Sequence, residues 1–295
     1  MTHEAIRNAI PRHIAGKFNL PALMVAGLLA LSSPAGAYAD EDWTYANPYG
    51  LDIAGDVQDA ASDEASVTFQ ENYLPTLSSW INSNLKETSS VNDLSGISLD
   101  PSQLYLSTAS DVRVYFVGEG AGYWNTLGFT TDAIESAIGD GGEIIFPNAS
   151  TQSSYLNGTD DPARTYDTPL LPGDFVDLGT FDANTQLDFF LIAQGALLSS
   201  TTSQLYSTDS SLNLDGIAHV ISYAIADSPY LLIGFEDMWN GGDKDYNDLL
   251  FAIDIGTANV AALTTAPEPS TLFILGTFLL AVAYLHKRQQ RQTAI

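Results

Sequence analysis

The densest group of metal-ligating side chains in the sequence lies in a short stretch between two apolar runs. Five carboxylates and the carboxamide of Asn247 are the candidate ligands within thirteen residues, namely Glu236, Asp237, Asp243, Asp245, Asn247 and Asp248. Calcium takes about six to eight oxygen ligands at flexible geometry, so this composition suits it. Without a cation, carboxylates about 4 Å apart repel each other by roughly 4 kcal/mol per pair at an effective dielectric constant near 20. The stretch therefore predicts a Ca2+ site at which the ion holds a loop together.

The same residues also have a purely structural interpretation. Asp and Asn side chains accept hydrogen bonds from nearby backbone in turns, and an acidic protein collects acids in its loops. Asp243, Asp245 and Asn247 occupy the first, third and fifth positions of a helix–loop–helix calcium motif. Asp248, however, stands where that motif needs glycine. A calcium site in another setting and a solvated turn both stay open.

The runs on either side are expected to be strands that position these acids. Tyr230–Phe235 is a continuous apolar run typical of a buried strand, and Leu249–Ile255 alternates with a period of two. Between them, Gly241 and Gly242 allow the backbone to turn sharply at positive φ. The acidic stretch is thus predicted to be the loop of a β-hairpin.

A second polar loop is expected beside this hairpin. Three glycines surround Glu119 within Gly118–Gly122, directly after a predicted strand, and they mark a tight loop or bulge. Because a calcium shell usually draws on more than one loop, Glu119 and Asn125 are further candidate ligands. In the alternative interpretation the glycines only turn the chain, while Tyr123 and Trp124 pack into the core.

Short strand patterns separated by turn residues recur along most of the chain. Besides the hairpin strands they are predicted at Gln103–Ser107, Asp111–Val117, Gly141–Pro147, Phe175–Leu178, Gln186–Ala193 and His219–Ala226. This pattern favours a mainly β fold, specifically an antiparallel β-sandwich resembling a jelly roll. Upstream, Ala60–Lys86 has partly helical spacing interrupted by Pro75. It predicts one or two short amphipathic helices packed against a sheet.

The beginning of the chain has the pattern of a signal peptide. Basic residues precede an apolar run of about a dozen residues, Leu20–Leu31, and small residues follow it. The run is shorter than the roughly 20 residues that a spanning helix needs, which favours cleavage, after either Ala37 or Ala39.

The end of the chain has a second targeting pattern. Pro267, Glu268 and Pro269 are followed by an apolar run, Thr271–Leu285, and then by a basic cluster. By itself the run predicts a short hydrophobic transmembrane helix with its basic end in the cytoplasm. At about 1.5 Å per residue it only just spans a bilayer core, which suits a transient membrane segment.

Charge and composition exclude several classes of function. Between Asp40 and Ala266 the chain has 34 acidic residues against four basic ones. Nucleic acid is therefore excluded as a partner, since phosphate binding requires a positive surface. Cysteine is absent and His219 is the only histidine in this stretch, which rules out thiol catalysis and makes a zinc or copper site improbable.

Three functions remain, in decreasing order of support. The first is a non-enzymatic, calcium-binding surface or matrix protein. The second is a carbohydrate-binding module for an exopolysaccharide, because aromatic residues flank the acidic loops at Tyr123, Trp124, Trp239 and Tyr246. The third is a glycan-active enzyme using paired carboxylates, although so many acids form such pairs by chance.

The patterns together divide the chain into five predicted segments. These are a signal peptide (1–39), an acidic and partly helical region (40–100), a β-sandwich domain (101–258), a linker (259–266) and a sorting signal with its transmembrane helix (267–295).

Parts of the chain also resemble known families. The acidic hairpin G-F-E-D-M-W-N-G-G-D-K-D-Y-N-D-L-L-F resembles the closing motif of the bacterial domain of unknown function 4114. Val117–Phe129 resembles its other recurring block, and with Asp215–Val220 the likeness spans about Leu104–Ile255. The resemblance implies a secreted, mostly β protein that is suspected of binding calcium.

The C-terminal segment resembles the PEP-CTERM sorting signal of Gram-negative bacteria. Its Pro-Glu-Pro motif, apolar run and basic cluster occur in the order of that signal, and only the tail as far as Ile295 is longer. The resemblance implies recognition by an exosortase-type protease in the inner membrane. It also implies cleavage near the motif and export to the cell surface or the extracellular matrix.

Overall fold

A computed structural model of the protein describes residues 48–91, 100–133, 136–151, 169–197, 204–225 and 227–265. The expected signal peptide, the C-terminal apolar helix and the motif Pro267, Glu268 and Pro269 lie outside these residues. Among the described residues, no helix has both the length and the apolar character needed to cross a membrane.

Ten strands form two five-stranded sheets in the described part of the chain. They are β1 Asp52–Ile53, β2 Ser110–Gly118, β3 Thr126–Thr130, β4 Glu143–Phe146, β5 Phe175–Phe181, β6 Asp188–Ile192, β7 Leu205–Ser207, β8 Val220–Ala224, β9 Tyr230–Phe235 and β10 Leu249–Asp254. The first sheet has the order β1-β4-β3-β6-β7 and the second β5-β2-β10-β9-β8. The mainly β fold is thereby confirmed.

One strand pair departs from the antiparallel arrangement that the sequence predicts. β1 runs parallel to β4, whereas the other strand pairs of the described residues are antiparallel. A long connection separates β1 from β4 in the chain, so no tight hairpin forces them to be antiparallel. The expectation of a purely antiparallel fold is therefore wrong at this edge.

The helical prediction for Ala60–Lys86 is confirmed. α1 (Glu64–Thr68), a π-helical turn (Phe69–Tyr73) and α2 (Leu74–Asn84) follow one another without a gap. Pro75 lies in the first turn of α2, directly after the π-helical turn. The helical segment therefore continues across the proline instead of ending there.

The segment that the sequence assigns to a linker is helical as far as the structure describes it. α3 covers Thr257–Thr265. The Asn259 side chain donates a hydrogen bond to Ile255 O (2.7 Å) and accepts one from Thr108 N (2.9 Å). These bonds attach the start of α3 to the strands, which a sequence rich in alanine and threonine does not reveal.

The core explains the alternation of the apolar runs. Leu249, Phe251 and Ile253 belong to a cluster that side chains of both sheets share, and the Phe251 ring lies 5.2 Å from that of Phe189 on β6. Leu250 and Ala252, on the other face of β10, lie in a second cluster together with residues of α2. The second sheet is thus buried on both faces, which keeps the end of β10 in a fixed position.

Two local strand predictions fail for identifiable reasons. Gln103–Ser107 is not a strand: Pro101–Gln103 form a 3-10 turn capped by Asp100, and Tyr105 makes only an isolated bridge. Conversely β3 is absent from the predicted strands, and it contains Gly128, a residue type that is unfavourable inside strands. In the structure, a Cβ at Gly128 would lie 2.3 Å from the Phe190 ring, so the glycine permits close packing within the sheet.

Candidate functional site

The acidic stretch is the loop of a β-hairpin, as predicted. β9 and β10 pair in antiparallel register from Phe235 opposite Leu249. Gly241 and Gly242 have φ values of 76° and 47°, so both use the positive φ that the sequence suggests. The loop that carries the acids therefore connects β9 and β10 at one end of the second sheet.

Three non-glycine residues of the loop also have left-handed backbone. Asn240, Lys244 and Tyr246 have φ values of 61°, 63° and 56°. This conformation costs roughly 1–2 kcal/mol for a residue with a Cβ atom. Contacts made by the loop must offset this cost.

Glu236 is the most buried acid of the loop. Its Oε1 accepts a hydrogen bond from Tyr246 N (2.7 Å), whereas its Oε2 is buried and has no hydrogen-bond partner. A Cβ at Gly242 would lie 2.5 Å from Oε2, so only glycine leaves this oxygen its space. Burial, reinforced by the charges of Asp245 and Asp243, raises the pKa of Glu236 to about 7.

Asp243 and Asp245 form a group with Glu87, which the sequence does not single out. One carboxylate oxygen of each lies within 4.8 Å of the others. Two oxygens that both lie about 2.4 Å from one calcium ion are at most about 4.8 Å apart, so the spacing of these three is within the limit that a shared ion requires. Asp245 Oδ2 also accepts a hydrogen bond from Thr88 N (2.7 Å). Burial raises the pKa of Asp245 to about 6. Glu87, Asp243 and Asp245 are called the outer group below.

Asp237 and Asp248 form a separate inner pair with Asn125. Asn125 Nδ2 donates to Asp237 Oδ2 (2.7 Å), and Asp237 N donates to Asp248 Oδ2 (2.9 Å). Burial, followed by the charge of Asp237, raises the pKa of Asp248 to about 9. The outer group does not include either aspartate. The structure therefore divides the predicted ligands into two neighbouring sets.

The glycine-rich loop lies against the hairpin, as expected. Gly120 N donates to Asn247 O (2.9 Å), and Asn247 Nδ2 approaches Glu87 Oε2 at 3.5 Å. Glu119 is buried, and its Oε1 accepts a hydrogen bond from Thr151 N (3.2 Å). Burial, together with neighbouring carboxylate charges, raises the pKa of Glu119 to about 7. The proximity of the two loops is shown, and a ligand role for Glu119 and Asn125 stays a prediction.

The Asp215–Val220 block contacts the hairpin loop through the side chain of Asp215. His219 is fully buried, and its Nε2 lies 2.8 Å from Asp215 Oδ2. The same Asp215 oxygen accepts a hydrogen bond from Asn240 N (3.0 Å), and the His219 ring stacks on Tyr206. This contact helps to hold the left-handed backbone at Asn240.

The arrangement is strongly negative. Seven carboxylates surround the hairpin loop, those of Glu87, Glu119, Glu236, Asp237, Asp243, Asp245 and Asp248. Among the residues that the structure describes, no lysine or arginine forms an ion pair with any of them. Chemically, the loop is a cluster of hard oxygen donors whose own basic residue, Lys244, makes no ion pair with them among the described residues.

Sequence reasoning could not have found Glu87. It follows α2 and is 156 residues from Asp243, with no motif or spacing that relates it to the hairpin. Asp215 lies in a block that resembles the family, but no sequence pattern predicts its contact with the loop backbone. Both assignments depend on the tertiary fold.

Residues 181–256 match the sequence model of a family described as Domain of unknown function (DUF4114). The matched stretch includes the hairpin and Asp215–Val220, while Val117–Phe129 and Glu87 lie outside it. No curated protein and no solved structure matches the chain significantly. The acidic hairpin is therefore part of the segment in which this chain is similar to DUF4114.

Proposed function

We propose that this chain is an exported, non-enzymatic protein of the cell surface or extracellular matrix, whose acidic hairpin binds Ca2+. The observation that carries the proposal is Glu236 Oε2, a buried oxygen without a hydrogen-bond donor, in the electrostatic neighbourhood of Asp243 and Asp245. A buried carboxylate is costly unless it is paired or coordinates a metal. A cation from solution would complete this group.

Calcium fits the donor set better than other metals. Carboxylates and amide carbonyls are hard oxygen donors, whereas zinc and copper favour nitrogen and sulfur ligands. Magnesium requires near-ideal octahedral geometry and retains its waters, while calcium accepts six to eight ligands at variable angles. An irregular loop with many acids is suited to the latter.

The residues around the hairpin would have different roles in calcium binding. The outer group would supply direct ligands, and Glu236 would add negative charge beside it. The negative potential that attracts the ion would come from Glu119, Asp237 and Asp248. Asn125 and Asn247 would hold their neighbouring carboxylates by hydrogen bonds.

Export and sorting form the second part of the proposal. The signal-peptide pattern, the PEP-CTERM-like tail and the acidic, cysteine-free body support passage through the inner membrane and processing by an exosortase-type protease. The protein would then reach the cell surface or extracellular space of a Gram-negative bacterium. We further propose that the two sheets form a jelly-roll-like β-sandwich, because their side chains share one cluster.

A non-enzymatic role is supported by the histidine. His219 is fully buried and is held by Asp215, so it lacks the access to substrate that a general base requires. The acids of the hairpin are better explained by cation binding than by a glycosidase pair.

Calcium titration of the full-length protein in mild detergent tests the proposal. Isothermal titration calorimetry with calcium chloride should give saturable heat for the wild type and much weaker binding for Asp245→Asn. Asp177→Asn is the matched control. It removes an acid that is paired with Arg113 and lies far from the hairpin in the sequence. Absence of heat in the wild type at millimolar calcium would refute the calcium site.

Sorting is tested separately. Replacing Glu268 by alanine should leave an unprocessed form in the inner-membrane fraction of a host that contains an exosortase. Unchanged processing and release of this variant would count against the sorting assignment without affecting the calcium site.

Carbohydrate binding is the second candidate, and one observation favours it. Trp239, at the tip of the hairpin, is 47% exposed. Exposed aromatic rings often stack on sugars, although Tyr246 is buried here and unavailable for this. Binding to a glycan array that is lost in Trp239→Ala, with unchanged circular dichroism, would favour an exopolysaccharide-binding module.

A further inference from the structure

The segment that follows α2 lies across the hairpin loop, although more than 150 residues separate them in the chain. Three hydrogen bonds join the segments: from Thr88 N to Asp245 Oδ2 (2.7 Å), from Val91 N to Lys244 O (2.8 Å) and from the Ser90 hydroxyl to Asp243 O. Residues 86–91 are called the strap below. The strap ends the helical region that covers one face of the second sheet.

Charge opposes this contact. Glu87 of the strap faces Asp243 and Asp245 within the outer group, and no lysine or arginine among the described residues pairs with any of the three. The amide of Asn247 approaches Glu87 at the edge of hydrogen-bonding distance, 3.5 Å. Three carboxylates this close repel one another. The hydrogen bonds of the strap therefore act against a repulsion that a bound cation would turn into attraction.

We propose that a calcium ion shared by Glu87, Asp243 and Asp245 fastens the strap to the hairpin, so that calcium controls whether residues 86–91 are docked. This inference rests on the calcium site proposed above and adds a ligand from outside the segment that matches DUF4114. The unpartnered Oε2 of Glu236, buried under the same loop, is the independent sign that a cation belongs here.

Docking of the strap would be transmitted to the helical region. Leu85, directly before the strap, is buried and shares a cluster with Ile81 of α2 and with Tyr246 of the hairpin loop. Extracellular calcium modules commonly bind at about 10⁻⁴–10⁻³ M, far above cytosolic calcium levels. The end of α2 would thus become fixed after export, when the protein meets millimolar calcium.

Hydrogen exchange of the full-length protein in mild detergent tests the strap directly. Exchange is compared in calcium chloride and in EGTA, for the wild type and Glu87→Gln. Glu71→Gln is the matched control, since it removes an exposed acid from the same helical region. In the wild type and the control, calcium should slow exchange at the amides of Thr88 and Val91. In Glu87→Gln this protection should disappear and calcium affinity should fall by about tenfold or more, the loss expected when metal-site residues are replaced.

The two levels of the proposal fail differently. If Glu87→Gln binds calcium and protects the strap as the wild type does, the strap is not a ligand segment, and the calcium site at the hairpin still stands. If the wild type shows neither heat nor protection in calcium chloride, both the site and the strap are refuted.

Discussion

The two ends of β2 both gather acidic side chains, but only at one end do they form ion pairs with a basic side chain of the described residues. At its beginning, Arg113 Nε lies 2.6 Å from Asp177 Oδ1 and Nη1 lies 2.8 Å from Asp63 Oδ2. The guanidinium also lies 4.0 Å from the centroid of the Phe175 ring. Although partial burial opposes it, hydrogen bonds from Ser66 and Arg113 lower the pKa of Asp63. Here the fold itself neutralises its acids.

At the other end, beside Gly118, the fold gathers more acids, and among the described residues neither Lys244 nor any other lysine or arginine forms an ion pair with them. Burial raises the pKa of Glu119 and of Glu236 to about 7, and that of Asp248 to about 9. The comparison teaches that the fold pairs its acids with an arginine at one end of β2 and leaves those at the other end without such a partner among the described residues. A cation from solution is the partner that we propose for the second end.

The largest expected effect is on the pH dependence of stability without calcium. Folded-state pKa values near 7 for Glu119 and Glu236 lie above the ordinary 4.5, so the folded protein binds more protons than the unfolded one between these values. The free energy of unfolding should therefore fall as the pH rises from about 5 to 8, by up to about 3 kcal/mol for each group.

Urea denaturation of the protein in EGTA at pH 5, 6, 7 and 8 measures this slope. Saturating calcium should flatten or reverse it, because the ion favours the ionised carboxylates. Asp63, beside Arg113, should not contribute in this window, since its lowered pKa places its loss of stabilisation at lower pH. Stability that is independent of pH in EGTA would contradict the contrast between the two ends.

The next largest effect is on the stability of variants that lose an acid. Removing an acid should stabilise the protein at the hairpin end of β2 and destabilise it at the Arg113 end. In EGTA at pH 8, Glu236→Gln should stabilise the protein by about 2 kcal/mol, because it removes a buried charge that its neighbours repel. The amide oxygen can still accept the hydrogen bond from Tyr246. Adding calcium should stabilise the Glu236→Gln variant less than it stabilises the wild type.

Asp177→Asn should do the opposite of Glu236→Gln. It removes the partner of Arg113 and should destabilise the protein by about 1 kcal/mol, with or without calcium. If both variants changed the free energy of unfolding in the same direction in EGTA, the two ends would not differ in the way described.

The smallest effect is expected at Arg113 itself. Arg113→Lys keeps the positive charge but loses the paired hydrogen bonds to both oxygens of Asp177, of 2.6 and 3.0 Å. It should cost less than about 1 kcal/mol, since both aspartates are partly exposed. Calcium affinity should stay the same. A change in calcium affinity would indicate that the two ends of β2 are coupled.

The sequence predicts the strands around the hairpin because both faces of those strands are buried. Leu249, Phe251 and Ile253 face one cluster and Leu250 and Ala252 face the other, so the strand is a continuous apolar run that is visible without a structure. The turn at Gly241 and Gly242 is equally readable, since glycine readily adopts positive φ. β3 is not readable, because Gly128 serves packing against Phe190 and not a turn.

The composition of the candidate site can be predicted, but its grouping cannot. Glu236, Asp243 and Asp245 all come from one acidic stretch, yet the orphaned oxygen of Glu236 depends on how the loop curls. Glu87 joins Asp243 and Asp245 only through tertiary contacts of the strap. Local patterns carry no information on such long-range pairs, so the outer group had to come from the structure.

The central claim is that the hairpin end of β2 takes its cation from solution. The most direct measurement is the melting temperature of the full-length protein in calcium chloride, in magnesium chloride and in EGTA. A ligand at one hundred times its dissociation constant adds about 2.7 kcal/mol, which for a domain of this size raises the melting temperature by about 5–10 °C. Calcium should produce this rise, and magnesium should produce much less. Identical melting temperatures in calcium chloride and EGTA across the millimolar range would contradict the account.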